Sequence, residues 1–233
     1  MVDRTVFLIG FAIMALASLA IYARGSKEPP LVHHTYLHAT VPFIAATSYL
    51  AMYLGVGNLM HDGVTTFTAR YVDWSITTPL LLTGLIMAGL HDRGRMSGYV
   101  VSTLVLDVLM IATGLLSSLS TDPTAKLVWY AWSCAAFLGV LYNLWVPVRA
   151  ISRAEGGAMT GAYARNLTFL TLVWFAYPIV FALAPEGLRV ISTAASAWAI
   201  LVLDVIAKVI YAFTASANLD QAAQDGGRSG TVR

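Results

Sequence analysis

The chain has 233 residues, of which 58% are hydrophobic and only 11% charged, with a formal net charge of +2. Soluble domains carry roughly a quarter charged residues, so this composition excludes a soluble enzyme, a disordered chain and a nucleic-acid binder. The single cysteine, Cys134, excludes an internal disulfide framework and a thiolate metal cluster, which leaves a polytopic, all-α membrane protein.

A hydrocarbon core takes about 20 mostly apolar helical residues to cross, and seven such stretches follow one another. The first, Val6 to Ala23, is uncharged and longer than a signal-peptide core, so it is expected to remain as a helix. The second runs from about Thr35 to Met60 and holds His38; the third, from about Phe67 to Leu90, holds Arg70 and Asp73 near its start. The fourth, Ser97 to Leu119, is interrupted by Asp107, and the fifth, Leu127 to Val148, is uncharged. The sixth runs from about Gly161 to Ala184, and the seventh, from about Leu188 to Thr214, contains Asp204 and Lys208. Short connections make neighbouring helices antiparallel.

An odd number of spans places the termini on opposite sides. Arg24, Lys27, Arg93, Arg95, Arg149, Arg153, Arg165, Arg228 and Arg233 fall on one side, against Arg4, Lys126 and Arg189 on the other. The excess of basic loop residues predicts an outside N-terminus and a cytoplasmic C-terminus. Residues 1–219 form one transmembrane domain in this reading. Residues 220–233, with the string DGGRSG, are expected to be a disordered tail.

Five ionisable groups sit inside spans: Arg70, Asp73, Asp107, Asp204 and Lys208. Each costs at least about 2.5–3.5 kcal/mol near the bilayer centre, so each needs a partner or a function. Asp204 and Lys208 share a helix face at i,i+4, as do Asp73 and Thr77, and Gly84 returns to the latter stripe two turns on. A bundle interior could gather Lys208, Asp73 and Asp204, with Arg70 balancing the second acid. A structural ion network would account for one such pair. A lone lysine deep in the last span, facing two acids, also suits a Schiff base with a carbonyl cofactor, because a buried protonated linkage needs an anionic counterion.

Three strings carry a family resemblance: RYVDWSITTPLLL (Arg70 to Leu82), WFAYPIV (Trp174 to Val180) and LDVIAKV (Leu203 to Val209). Together they resemble the microbial (type I) rhodopsins, in the bacteriorhodopsin-like branch, and with Asp73, Thr77 and Gly84 the chain is similar to the bacterial Asp-Thr-Gly subgroup of proton-pumping rhodopsins. The resemblance implies a seven-helix bundle in the plasma membrane, a homo-oligomer among lipids, and all-trans retinal bound to Lys208 as a protonated Schiff base. It implies an outward proton pump rather than an enzyme, with a sensory rhodopsin signalling through a partner as the alternative.

By the same resemblance, Asp73 is the counterion and proton acceptor and Asp204 the second counterion. Arg70 swings between the counterions and the exit, Thr77 bonds the acceptor, and Tyr49 bonds the second counterion. Trp74, Trp174 and Tyr177 box the polyene. Thr78, Met110, Gly114, Trp129, Ser133 and Pro178 match further pocket positions, Cys134 matches a pocket wall, and Asp107 a protonated structural acid. A carboxylate at Asp73 argues against a halide pump, and Asp204 against an inward one.

Two positions depart from the family. Gly84 stands where related pumps carry a carboxyl donor, so reprotonation must come from water or another group. His38 is a candidate cytoplasmic relay, or else a headgroup-level histidine. Glu186 matches one of two release-side glutamates while Ser196 replaces the other. Glu186 is therefore either a release-side group or the partner of Arg189 in a loop ion pair. The adjacent His33 and His34 lack a third ligand for a metal site.

Overall fold

A computed structural model describes residues 4–25, 31–61, 63–90 and 93–230. The order is α1 (Thr5–Arg24), α2 (Val32–Leu54), β1 (Asn58–His61), β2 (Val64–Phe67), α3 (Thr68–Gly89), α4 (Arg93–Leu119), α5 (Pro123–Asn143), α6 (Arg149–Glu155), α7 (Ala158–Trp174), α8 (Ala176–Leu183), α9 (Thr193–Asp204) and α10 (Tyr211–Gly230). Two π-helical turns, Leu144–Val148 and Val205–Ile210, join α5 to α6 and α9 to α10. The result is seven helices long and apolar enough to cross a membrane. Lys27, Asp62 and Arg233 lie outside the described residues.

Burial is inverted relative to a soluble protein. Leu16, Leu19 and Leu172 are 67%, 67% and 71% exposed on the outer surface, whereas Arg70, Asp73, Asp107, Asp204 and Lys208 are buried. A lipid-facing surface has no need of charge, and the polar groups must find partners inside. The largest apolar cluster joins α2, α3, α5, α7 and α10 around Leu82, Ile86, Leu144, Tyr163 and Leu167.

Helix ends and breaks follow local chemistry. α5 opens on Pro123, with the Asp122 carboxylate accepting from the Ala125 N–H, and α9 opens with the Ser192 hydroxyl accepting from Ala195 N–H. The sixth span breaks at Phe175 because Pro178 offers no N–H to the Trp174 carbonyl. Pro147 lies in the first π-helical turn, where the Tyr163 hydroxyl donates to the Leu144 carbonyl at 2.6 Å. The second π-helical turn carries Lys208.

The structure corrects the sequence expectation in three places. The second stretch does not reach Met60 as helix: α2 stops at Leu54, where Gly55 takes a left-handed φ of 80°, and an antiparallel hairpin pairs Asn58 with Phe67 and His61 with Val64. The last span begins at Thr193 rather than Leu188, because residues 184–191 fold back in hydrogen bonds onto the carbonyls of Ala182, Leu183 and Ala184. The region expected to be a disordered tail continues α10 as far as Gly230, with Leu219 and Ala222 buried against Leu31, Ala88 and Ala162.

Candidate functional site: a buried lysine between two carboxylates

Asp73 stands one turn into α3, and Lys208 projects from the π-helical turn of the last span. The Lys208 amine donates directly to Asp73 Oδ2, and Asp204 Oδ1 lies 3.4 Å from the same nitrogen. All three side chains are at most 3% exposed. The i,i+4 relation read from the sequence thus closes into an ion triad reaching across the bundle.

The two acids are held differently. Tyr49 donates to Asp204 Oδ2 and Tyr177 to Asp204 Oδ1, both at 2.9 Å. Asp73 Oδ1 finds no hydrogen-bond partner among the described residues. Thr77 Oγ1 donates to the Asp73 main-chain carbonyl at 2.9 Å and lies beside the carboxyl group as well.

Arg70 is buried one turn toward the hairpin, but it makes no ion pair with either aspartate among the described residues. Its guanidinium sits 5.3 Å over the Phe67 ring, and its Nε has no partner. Glu186 is also buried, close to Tyr71, with Oε2 unpartnered, whereas Arg189 is exposed at a left-handed φ of 59°. The Glu186–Arg189 ion pair offered as one reading does not form: Glu186 faces inward and Arg189 faces outward.

From the Lys208 amine an aromatic cavity runs between α3, α4, α5, α7 and α8. Trp74, Trp174 and Tyr177 form its walls near the lysine, and Trp74 meets Tyr177 edge-on at 5.6 Å and 88°. Thr78, Met110, Gly114, Ser133, Cys134 and Pro178 line it as expected. Asp107 also lines it and accepts from Thr78 Oγ1 at 2.6 Å, which ties α4 to α3.

Trp129 is the exception. It is 36% exposed and does not line the cavity; the next residue, Tyr130, does. The Tyr130 hydroxyl donates to the Pro178 carbonyl at 3.0 Å, and its ring stacks on Phe181 at 5.6 Å. Two adjacent aromatics on one helix point about 100° apart, so a one-residue shift exchanges the lipid face for the pocket. Sequence reasoning also missed Tyr71, which sits inside the quoted α3 string without having been assigned a role, and Phe137 and Phe181, which line the cavity outside any quoted motif.

Toward the far end of α3, Gly84 is buried, and a β-carbon there would meet only Leu37 Cδ1, at 3.8 Å. His38 is buried nearby on α2, with Nδ1 3.0 Å from Ser216 Oγ and its ring edge-on to Tyr211 at 5.9 Å.

An internal amine clamped by acids at the head of an aromatic slot, inside seven spans, defines a chromophore-binding membrane protein. The family model for bacteriorhodopsin-like proteins matches residues 1–221. Archaerhodopsin-2 of Halobacterium sp. (strain aus-2) is 35% identical over 213 residues, covering 88% of this chain and 80% of that one. The crystal structure of thermophilic rhodopsin from Rubrobacter xylanophilus superposes with a TM-score of 0.88 at 30% identity, covering 96% of this chain and 99% of the other. That of the light-driven proton pump of Coccomyxa subellipsoidea gives 0.83 at 32% identity, covering 93% and 98%. The chain belongs to the bacteriorhodopsin-like family of microbial rhodopsins, multi-pass retinal proteins of the plasma membrane that act as light-driven pumps or photoreceptors rather than as enzymes. The residues present fit retinal: the amine is buried, its charge is compensated, and the slot beyond it is walled by rings.

Proposed function

We propose that the chain is a light-driven outward proton pump, with all-trans retinal carried on Lys208 as a protonated Schiff base and the N-terminus outside the cell. When bound there, retinal would supply a light-driven change of shape at the head of the slot. The observation that carries the reading is the unequal treatment of the two acids. Both oxygens of Asp204 are held by tyrosine hydroxyls, so it serves as a fixed counterion. Asp73 contacts the amine directly and keeps Oδ1 open, so that oxygen can take a proton. A carboxylate in this place also fills the position a transported halide would need.

Arg70 lies on the hairpin side of Asp73, and the inward-facing Glu186 lies near Tyr71 beyond it. A proton leaving Asp73 passes these groups toward the outside; Ser196, buried without a carboxyl, cannot form a paired-acid release site with Glu186. On the cytoplasmic side Gly84 has no proton to give, and His38, hydrogen-bonded to Ser216, is the group that returns one. Assembly as a homo-oligomer among lipids completes the proposal.

The test is light-driven pH change in unbuffered cells supplied with retinal. Outward pumping acidifies the medium and a protonophore abolishes the change. A correctly coloured protein that leaves the pH constant overturns pumping and favours the sensory alternative.

A further inference from the structure

The cytoplasmic end of α2 carries a second buried histidine, which the proposed pathway has not used. His34 is 4% exposed, and its Nδ1 has no hydrogen-bond partner among the described residues. A buried imidazole nitrogen left unpaired is costly, so its retention needs a reason. Its neighbours are histidines on both sides. The ring of the exposed His33 lies 4.4 Å away between centroids, and that of the buried His38 lies 6.2 Å away on the following turn. Among the described residues, the titratable groups whose rings meet the pair are His33 and Tyr211, the latter edge-on to His38. The three imidazoles therefore step from the surface of the bundle to the hydrogen bond between His38 and Ser216.

We infer that His34 is the proton-uptake relay that refills His38 from the cytoplasm, with His33 as its exposed contact. Each imidazole takes a proton on one nitrogen and yields one from the other, so the chain moves a proton inward without a net change at His34. The two rings lie one helical turn apart, with centroids separated by 6.2 Å. The inference rests on the reading of His38 as the returning group, but it assigns a separate step to a separate residue.

The two steps can be timed apart. In flash experiments on the purified retinal-loaded protein, visible absorbance reports return of the proton to the linkage, and a pH-indicator dye reports uptake from the medium. His34→Gln is expected to delay uptake several-fold while leaving the first return unchanged. His34→Asn, a smaller amide, should do the same, and His38→Gln should slow the return itself. Uptake that keeps wild-type timing in both His34 variants, with His38→Gln still slow, overturns the relay and spares His38. Wild-type timing in His38→Gln overturns the reading beneath it. A readout without light or retinal is the ring 15N NMR spectrum of histidine-labelled protein. His34→Gln should change the response of the His38 resonances to pH, and an unchanged response contradicts a shared path.

Discussion

The two halves of the bundle, divided at Lys208, solve the same problem with different chemistry. On the hairpin side, four buried ionisable groups gather: Asp73, Asp204, Arg70 and Glu186, with Tyr49 and Tyr177 clamping one of them. On the other side α3 offers Gly84, and the polar groups near it include the imidazoles of α2 and Ser216 of α10. The carboxylate half is fixed by strong charge-assisted bonds that determine where a proton may rest. The imidazole half relies instead on rings that can take a proton on one nitrogen and give one up from the other. A pump needs a defined acceptor before it needs a defined donor, because water can supply protons slowly but cannot choose the direction of release.

Substitutions test that contrast, beginning with those expected to be most severe. Lys208→Ala should abolish the visible pigment after retinal addition, as read by absorbance; a retained visible band would remove the lysine as attachment point. Asp73→Asn leaves the amine without its direct anionic partner. Light-driven acidification should then fall by on the order of a hundredfold or more, the scale of a lost proton-transfer group, and the band should move to the red. Unchanged transport would remove Asp73 as acceptor.

Tyr49→Phe strips one donor from Asp204 Oδ2. An unsatisfied buried acceptor costs about 1–3 kcal/mol, so thermal bleaching should occur at lower temperature, and an unaltered bleaching temperature would contradict the clamp. Gly84→Asp sharpens the other half. A β-carbon there would make only an ordinary van der Waals contact with Leu37, so the variant should fold, and return of the proton should quicken several-fold in flash photolysis. The smallest effect separates two neighbours: Tyr130→Phe should shift the absorption band by a few nanometres at most, and Trp129→Phe should leave it in place.

Much of this was legible from the residues. Uninterrupted apolar runs located the spans, and the spacing of Asp204 and Lys208 already implied the shared face that the 3.4 Å contact confirms. The cross-bundle contacts of Asp73 with Lys208, and of Tyr49 with Asp204, became legible through three short strings and one matched tyrosine.

The remainder depended on tertiary contacts or on single-residue register. The hairpin left a local trace, the Asp62-Gly63 dipeptide beside short alternating segments, but apolar Leu59 and Met60 extended the helical reading past Gly55. The π-helical turn beneath Lys208 has no mark in composition. For Glu186, sequence proximity left Arg189 open as a partner beside the release-side reading. The folded-back loop instead requires Gly187, where a β-carbon would lie 2.4 Å from the Ala182 carbonyl oxygen, and it points the two charges apart. The helical continuation of α10 was hidden by its polar residues, since among its apolar side chains few besides Leu219 and Ala222 are buried.

The central claim is that Asp73 is the carboxylate that answers to the chromophore on Lys208. The most direct test is an acid titration of the visible spectrum of the purified, retinal-loaded protein in darkness, beside Asp73→Asn. The account predicts a red shift as wild-type Asp73 takes up a proton, and an already red, acid-insensitive band in the variant. A variant that titrates just as the wild type does would contradict it.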